Sequence, residues 1–359
     1  MVKRLRSDSR AFCYFDLLPA IVLLPIFANQ LIELTQNTFI IMKKVFYALA
    51  LLFFTMAFTE CQKASTPKIV STREKIDGFC GTIVEATFDN NKQLYFRLLP
   101  DNTAAVTDAY CYSPEAEYNW NCYGDMVIPS EFSHNSQIYS VVRIDGEAFG
   151  TCNKLESIVI PNSVTHIGEA AFLYCRSLKT INIPEEIQFI ECRTFEGCEV
   201  LESVQLPKNV EKVHGSAFKD CIHLTSIDLG TVRSIGPYAF SGCKNLTAIN
   251  MPPVIDVSEG AFQNCIGLQS IDLPASIEHL YRGAFSGCSS LTTVTCRPSS
   301  PPITNYFGEP AGDPFPGCPI QEIKVPMESV SNYQQPDGQW PEHWRSGPRA
   351  AVGWLRQRD

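Results

Sequence analysis

The chain is poor in the groups that most enzymes draw on. Its 359 residues include six histidines, His134, His166, His214, His223, His279 and His343. There is no Gly-x-Ser-x-Gly, no glycine-rich phosphate loop, no His-Glu-x-x-His and no Cys-x-x-Cys pair, so the short signatures of serine hydrolases, nucleotide-binding enzymes, zinc peptidases and dithiol sites are missing. Positive charge is also short: 29 Lys and Arg stand against 38 Asp and Glu, a formal net charge of -9. Nucleic acids and anionic membrane surfaces are recognised by basic stripes, and the chain carries none through its central region. The expectation is no enzyme, no cofactor, no metal and no nucleic-acid partner.

What the chain does have is a period. Phe149, Phe172, Phe195, Phe218, Phe240, Phe262 and Phe285 follow one another every 22 or 23 residues, and three residues after each comes Cys152, Cys175, Cys198, Cys221, Cys243, Cys265 or Cys288; Cys318 continues the series. The unit is complete in residues 171–190, where Ala171 and Phe172 lead to Cys175, Leu178, Ile181, Ile183 and Pro184, then to Ile187 and Ile190. Ile181 and Ile183 alternate with a polar residue, the period-2 pattern of a strand with one buried face. Pro184 has no N–H to donate and ends that strand. One unit offers roughly eight apolar side chains at about 1.5–3 kcal/mol each when buried. Ordering its backbone costs about 1–2 kcal/mol per residue, so a lone unit cannot fold and neighbours must share a core. The fold expected is a β-rich leucine-rich-repeat solenoid of short parallel strands in 22–23-residue coils, a rod on the order of 35 Å long at strand spacing.

The strings AFLYCRSLKTINIPEEIQFI (171–190) and AFQNCIGLQSIDLPASIEHL (261–280) resemble the BspA-type leucine-rich repeats of bacterial surface proteins. QLYFRLLPDNTAAV (93–106) and YGDMVIPSEFSHNSQIYSVVRIDGEAF (123–149) resemble the segment that precedes the first repeat in that family, and IQEIKVPMESVSNYQQPDGQWPEHW (320–344) its closing element. The resemblance implies an exported adhesion or host-interaction protein with no catalytic residues. The partner it implies is a host or matrix protein, or another surface protein.

The organisation expected is an upstream extension over 1–41, a lipoprotein-type signal peptide over 42–61, a tether over 62–74 and an N-terminal β cap over 75–145. Repeats follow over 146–297, then a loop, last coil and C-terminal cap over 298–344, and a basic tail over 345–359. Met42-Lys43-Lys44 before the apolar run Val45–Phe58 has the form of a secretory leader. It ends at Phe58-Thr59-Glu60-Cys61, which resembles a lipobox with Glu60 in place of the usual small residue. Cys61 is therefore the candidate lipidation site and membrane anchor, with an outer membrane or cell-surface location expected and the periplasmic face open. Residues 298–319 break the period and are rich in proline. They read as a bulging loop before a last coil holding Cys318, Ile323 and Val325, and the tail after Trp344 reads either as frayed or as docked on that coil.

Fifteen cysteines in an exported chain would ordinarily suggest disulfides. The repeat cysteines read instead as a buried ladder of small side chains, because stacked Cβ vectors run parallel near 4.8 Å apart, beyond disulfide range. Such a line of thiols cannot surround a tetrahedral ion. Cys111 and Cys122 flank a Ser113-Pro114 turn and could pair across a hairpin or stay free. Cys80, Cys192 and Cys296 have no evident partner. Only His166 and His279 share a repeat phase, about 24 Å apart, and the histidines read as solvated.

The candidate binding surface is the outward face of the coil strands. One row is Val159, Asn182, Gln205, Asp228, Asn250, Asp272 and Thr295; two residues earlier runs Ser157, Thr180, Ser203, Ser226, Ala248, Ser270 and Thr293. Amides and carboxylates beside small hydroxyls make a flat hydrogen-bonding strip across which a protein or glycan could lie, although small polar side chains also simply suit a crowded sheet face. The alternative function is a glycan-binding component of a nutrient-capture system. That would need exposed aromatics, which this strip lacks, though Tyr118, Trp120 and Tyr123 of the cap could supply some.

Overall fold

A computed structural model describes residues 67–77, 81–107, 122–304, 312–335 and 352–354, all within the unit Pro67–Asp359. The leader, Cys61, Cys80, Cys111, Tyr118, Trp120 and His343 lie outside the described residues. Strands β1 (Ile69–Asp77), β2 (Gly81–Phe88), β3 (Gln93–Leu99) and β4 (Thr103–Thr107) form an antiparallel meander. Val84, Ala86, Phe88, Leu94 and Phe96 alternate onto its buried face, as a half-buried sheet requires. After them come β5 (Tyr123–Val127), β6 (Glu131–His134), β7 (Gln137–Ile144) and β8 (Lys154–Val159). The meander continues through β7, parallel to β4, to β6. The sheet curls until His134 of β6 meets Thr72 of β1, Nδ1 to Oγ1 at 3.0 Å. His134 is thus buried in the cap rather than solvated, because it faces the inside of this curl and not a coil surface.

The cap hands the repeats two ladders. β5 pairs in parallel with β8, which pairs with Thr180–Ile181; β7 pairs in parallel with His166–Ile167. Most coils therefore have two short strands, one on either side of the proline or equivalent turn. The second strand was not expected: Phe189–Ile190, Lys212–Val213, Ser234–Ile235, Asp256–Val257 and His279–Leu280 form one parallel sheet, extended by a bridge from His279 to Ile303. With two residues per strand there is no alternation for a pattern to reveal.

A third side of every coil is a turn built around the phenylalanine. From Phe149 through Phe285 the residues two before and two after each phenylalanine are left-handed, as at Ala170 (φ 54°) and Tyr174 (φ 56°) around Phe172, and at Arg193 and Gly197 around Phe195. Such a conformation costs an L-residue roughly 1–2 kcal/mol. It is offset because it aims successive amides at the next coil: Ala170, Phe172 and Tyr174 donate to the carbonyls of Cys192, Thr194 and Glu196 at 2.7–2.9 Å. At Gly197 the next coil's glycine makes room for Tyr174, whose ring carbon would lie 2.2 Å from an added Cβ. Glu196 is buried and ion-paired with Arg193 at 2.7 Å and Lys219 at 3.2 Å.

Phe149, Phe172, Phe195, Phe218, Phe240, Phe262, Phe285 and Phe315 form one unbroken stack, with neighbouring centroids 5.1–5.6 Å apart and planes within 3–19°. The cysteines do more than fill space. From Phe149 to Phe285 each phenylalanine carbonyl accepts the N–H of its own coil's cysteine and the S–H of the next, as Phe195 O does from Cys198 N at 3.1 Å and Cys221 Sγ at 3.2 Å. The same S–H bond recurs from Cys175, Cys198, Cys243, Cys265, Cys288 and Cys318 at 2.9–3.3 Å. A cysteine is narrow enough for the crowded turn and supplies a weak donor to the carbonyl's second lone pair. Cys122 is also a buried free thiol; it lies against Cys152 and starts the row from within the cap.

Burial pushes these thiols well above the ordinary cysteine range, Cys198, Cys221 and Cys243 being fully enclosed. Since the thiolate is the reactive form, iodoacetamide added to the native protein should leave Cys198, Cys221 and Cys243 unmodified on peptide mass mapping, while urea-unfolded protein is alkylated at each. Rapid native labelling of Cys221 would show that the coils open.

Two expectations need correcting. Residues 201–206 carry the inward Leu201, Val204 and Leu206 but form no strand, so the first ladder is interrupted there. The coil is pinned at its other sides, by Lys212–Val213 and by the turn amides, and does not depend on this one. Within the tail, Val352–Trp354 is not frayed but pairs in parallel with Glu322–Pro326, because the last coil otherwise leaves a sheet edge unpaired. The last coil itself is as expected, with Phe315, Cys318, Ile323 and Val325 buried. Asp313 Oδ1 accepts the Phe315 N–H at 2.8 Å, replacing the carbonyl that a further coil would provide.

Candidate interaction surfaces

The strand strip is present, but many of its side chains are already engaged. Ser157 donates to Asp125 Oδ1 at 2.7 Å, extending the row into the cap. Val159 is half-buried opposite Val127. The Asn182 amide turns along the sheet instead of outward: its Oδ1 accepts from Ile160 N at 2.8 Å and its Nδ2 donates to Ile160 O at 2.7 Å. It substitutes there for ladder bonds between two coils. Asp228 accepts from Gly230 N at 3.0 Å and from Asn250 Nδ2 at 2.9 Å, while Asp272 is held in a two-point pair by Arg297. Thr180, Ser203, Gln205, Ser226 and Ser270 are exposed. The structure thus leaves the hydroxyl row open and spends much of the amide and carboxylate row on intercoil bonds.

A second strip, on the outward face of the two-residue strands, was missed by the sequence reading. From the cap onward it runs Arg143, His166, Phe189, Lys212, Ser234, Asp256 and His279. It is ionisable and aromatic where the first strip is small and polar. His279 Nδ1 meets Asp256 Oδ1 at 2.6 Å and stacks on Tyr281, centroids 5.7 Å apart. Burial, assisted by the Arg143 charge, holds His166 below the ordinary imidazole value. Phe189 is 40% exposed. The one available signal was that a phenylalanine occupies a repeat position held elsewhere by Lys212, Ser234, Asp256 and His279. Of the cap aromatics, Tyr123 is exposed and lies under Lys92 Nζ, 5.4 Å from the ring centre. Among the described residues no group of three or more His, Cys, Asp or Glu is placed to hold a metal ion, and no helix is long and apolar enough to cross a membrane.

The BspA type Leucine rich repeat region matches this chain in six copies, over residues 131–232 and 224–335. Among solved structures, a leucine-rich repeat protein from Bacteroides ovatus is 24% identical, over 65% of this chain and 69% of that one, with a TM-score of 0.48. A T. pallidum leucine-rich repeat protein is 25% identical over 55% and 77%, with a TM-score of 0.41. A leucine-rich cell surface protein from Faecalibacterium prausnitzii is 18% identical over 80% and 96%, with a TM-score of 0.42. No curated protein matches the chain.

Proposed function

The chain belongs to the BspA-type leucine-rich repeat proteins, and from that premise we propose that it is an exported, membrane-anchored adhesion or interaction protein that holds a partner protein along its first strand strip. The observation that carries this reading is the row Thr180, Ser203, Ser226 and Ser270. These side chains are exposed at coil spacing, Thr180, Ser226 and Ser270 on short strands and Ser203 on the strandless segment between them, over a continuous Leu and Ile core. A rigid array of hydroxyl donors and acceptors can meet an extended partner over several coils at little ordering cost, since the sheet is already fixed. The leader and Cys61 support export and lipid anchoring.

The test has two arms. Cell fractionation should place the wild-type protein with membranes and Cys61→Ala in the soluble exported fraction. In pull-downs from host matrix proteins, Thr180→Lys combined with Ser203→Lys and Ser226→Lys should lose the captured partner without a change in thermal melt, because these positions are exposed and carry no core packing. Undiminished capture by the triple variant would remove the strip from the function.

A further inference from the structure

The second ladder is interrupted at one place among the described residues. His166–Ile167 pairs back to β7, Phe189–Ile190 pairs forward to Lys212–Val213, and no ladder bond joins the two. A cavity of about 300 Å³ opens at this gap, lined by Thr165, His166, Glu186, Ile187, Gln188 and Phe189. That volume is at the lower end of small-ligand sites and suits a single pyranose ring.

The lining narrows the ligand class. Phe189 is the one aromatic side chain of the gap and is exposed, with His214 packed edge-on against it, centroids 6.0 Å apart at 73°. An aromatic face carries negative quadrupole density, so it attracts the polarised C–H groups of a sugar's apolar side. Around it stand an amide, a carboxylate, a hydroxyl and an imidazole, the planar and bidentate groups that satisfy vicinal hydroxyls. Charges of both signs surround the gap. Arg143 pairs with Asp145 at 3.3 Å, His214 approaches Glu191 at 4.0 Å, and Lys212 stands opposite Phe189 while Glu186 lines the cavity. Neither a cationic nor an anionic ligand is favoured by that balance, which leaves a neutral one.

We propose that the cleft between His166 and Phe189 binds one ring of a neutral glycan, stacked on Phe189 and hydrogen-bonded by Gln188, Glu186 and His166. The site is separate from the strand strip, so either can fail without the other.

The test applies the full chain to an array of neutral gluco-, galacto-, manno- and xylo-configured oligosaccharides and their sialylated and sulfated counterparts. Calorimetric titration of the captured oligosaccharide follows. Neutral chains should be retained, and Phe189→Ala should raise their Kd about tenfold, the loss expected from removing a stacking partner worth roughly 1.4 kcal/mol. Gln188→Ala should weaken binding as well, Phe189→Trp should preserve it, and the triple lysine variant of the strip should bind sugar like wild type. Because Phe189 and Gln188 are exposed, the variants should melt with wild type. Retention of acidic chains only, retention of none, or equal affinity in Phe189→Ala overturns the proposal.

Discussion

Phe218→Ala should lower the free energy of unfolding by about 3–5 kcal/mol, the range for removing a large buried aromatic side chain. Phe218 is wholly enclosed and stacks on Phe195 and Phe240 at 5.2 Å on each side. The substitution therefore opens a void between two coils rather than loosening one. Urea titration followed by tryptophan fluorescence and circular dichroism measures the loss. If the stack is a shared core, the Phe218→Ala/Phe240→Ala double variant should lose less than the sum of the two single losses, because the second substitution enlarges an existing void and the two rings are in direct contact. Strict additivity, or a midpoint unchanged in Phe218→Ala, would mean that the coils are stabilised independently.

Tyr333→Ala should be about as costly at the other end, about 3–5 kcal/mol. The chain reaches Tyr333 through Met327–Ser329 and the short helix Val330–Tyr333. It buries the ring completely and donates its hydroxyl towards Pro298 O at 3.1 Å and Ser300 O at 3.3 Å. Asn332 Nδ2 donates to Ser299 O at 2.8 Å beside it. The proline-rich segment that breaks the repeat has no regular ladder to satisfy these carbonyls, and the single hydroxyl proton of Tyr333 is placed to reach either of two of them. Burial raises the Tyr333 hydroxyl far above the ordinary phenol value, so it remains a donor at any working pH. Tyr333→Phe keeps the ring and should cost about 1 kcal/mol, the net worth of a typical hydrogen bond plus its stranded partners. Tyr333→Ala should in addition expose the last coil and promote association on size-exclusion chromatography. A Tyr333→Ala protein that remains monomeric with wild-type stability would refute the capping role of this segment.

The interior was legible because burial imposes a period that one sequence displays. Phe172, Cys175, Leu178 and Ile187 recur in phase along the chain because each must meet its counterpart in the next coil, and their burial follows from that requirement. Pro184 and Pro274 likewise mark the end of the first strand of their coils by what they cannot donate. The exterior was less legible. Asn182 and Asp228 look alike as outward polar residues, yet one bonds a backbone two ways and the other a neighbouring amide. Which polar side chain is left for a partner depends on distances of a few tenths of an ångström between coils, and periodicity carries no such information.

By itself the sequence determined the coil length, the identity of the shared core, the thiol row without disulfides in the repeats and the position of the last coil. Each of these is a consequence of apolar residues repeating at a fixed interval. Tertiary structure alone decided the two-residue second ladder, too short for a pattern, and the left-handed turns, which non-glycine residues such as Ala170 and Tyr174 adopt only because the next coil accepts their amides. It also decided the docking of Val352–Trp354 on an otherwise open edge, and the gap beside Phe189, where adjacent coils share the repeat but not the hydrogen bonds. These features arise between coils, from groups whose partners are distant in sequence and set by geometry rather than by residue type.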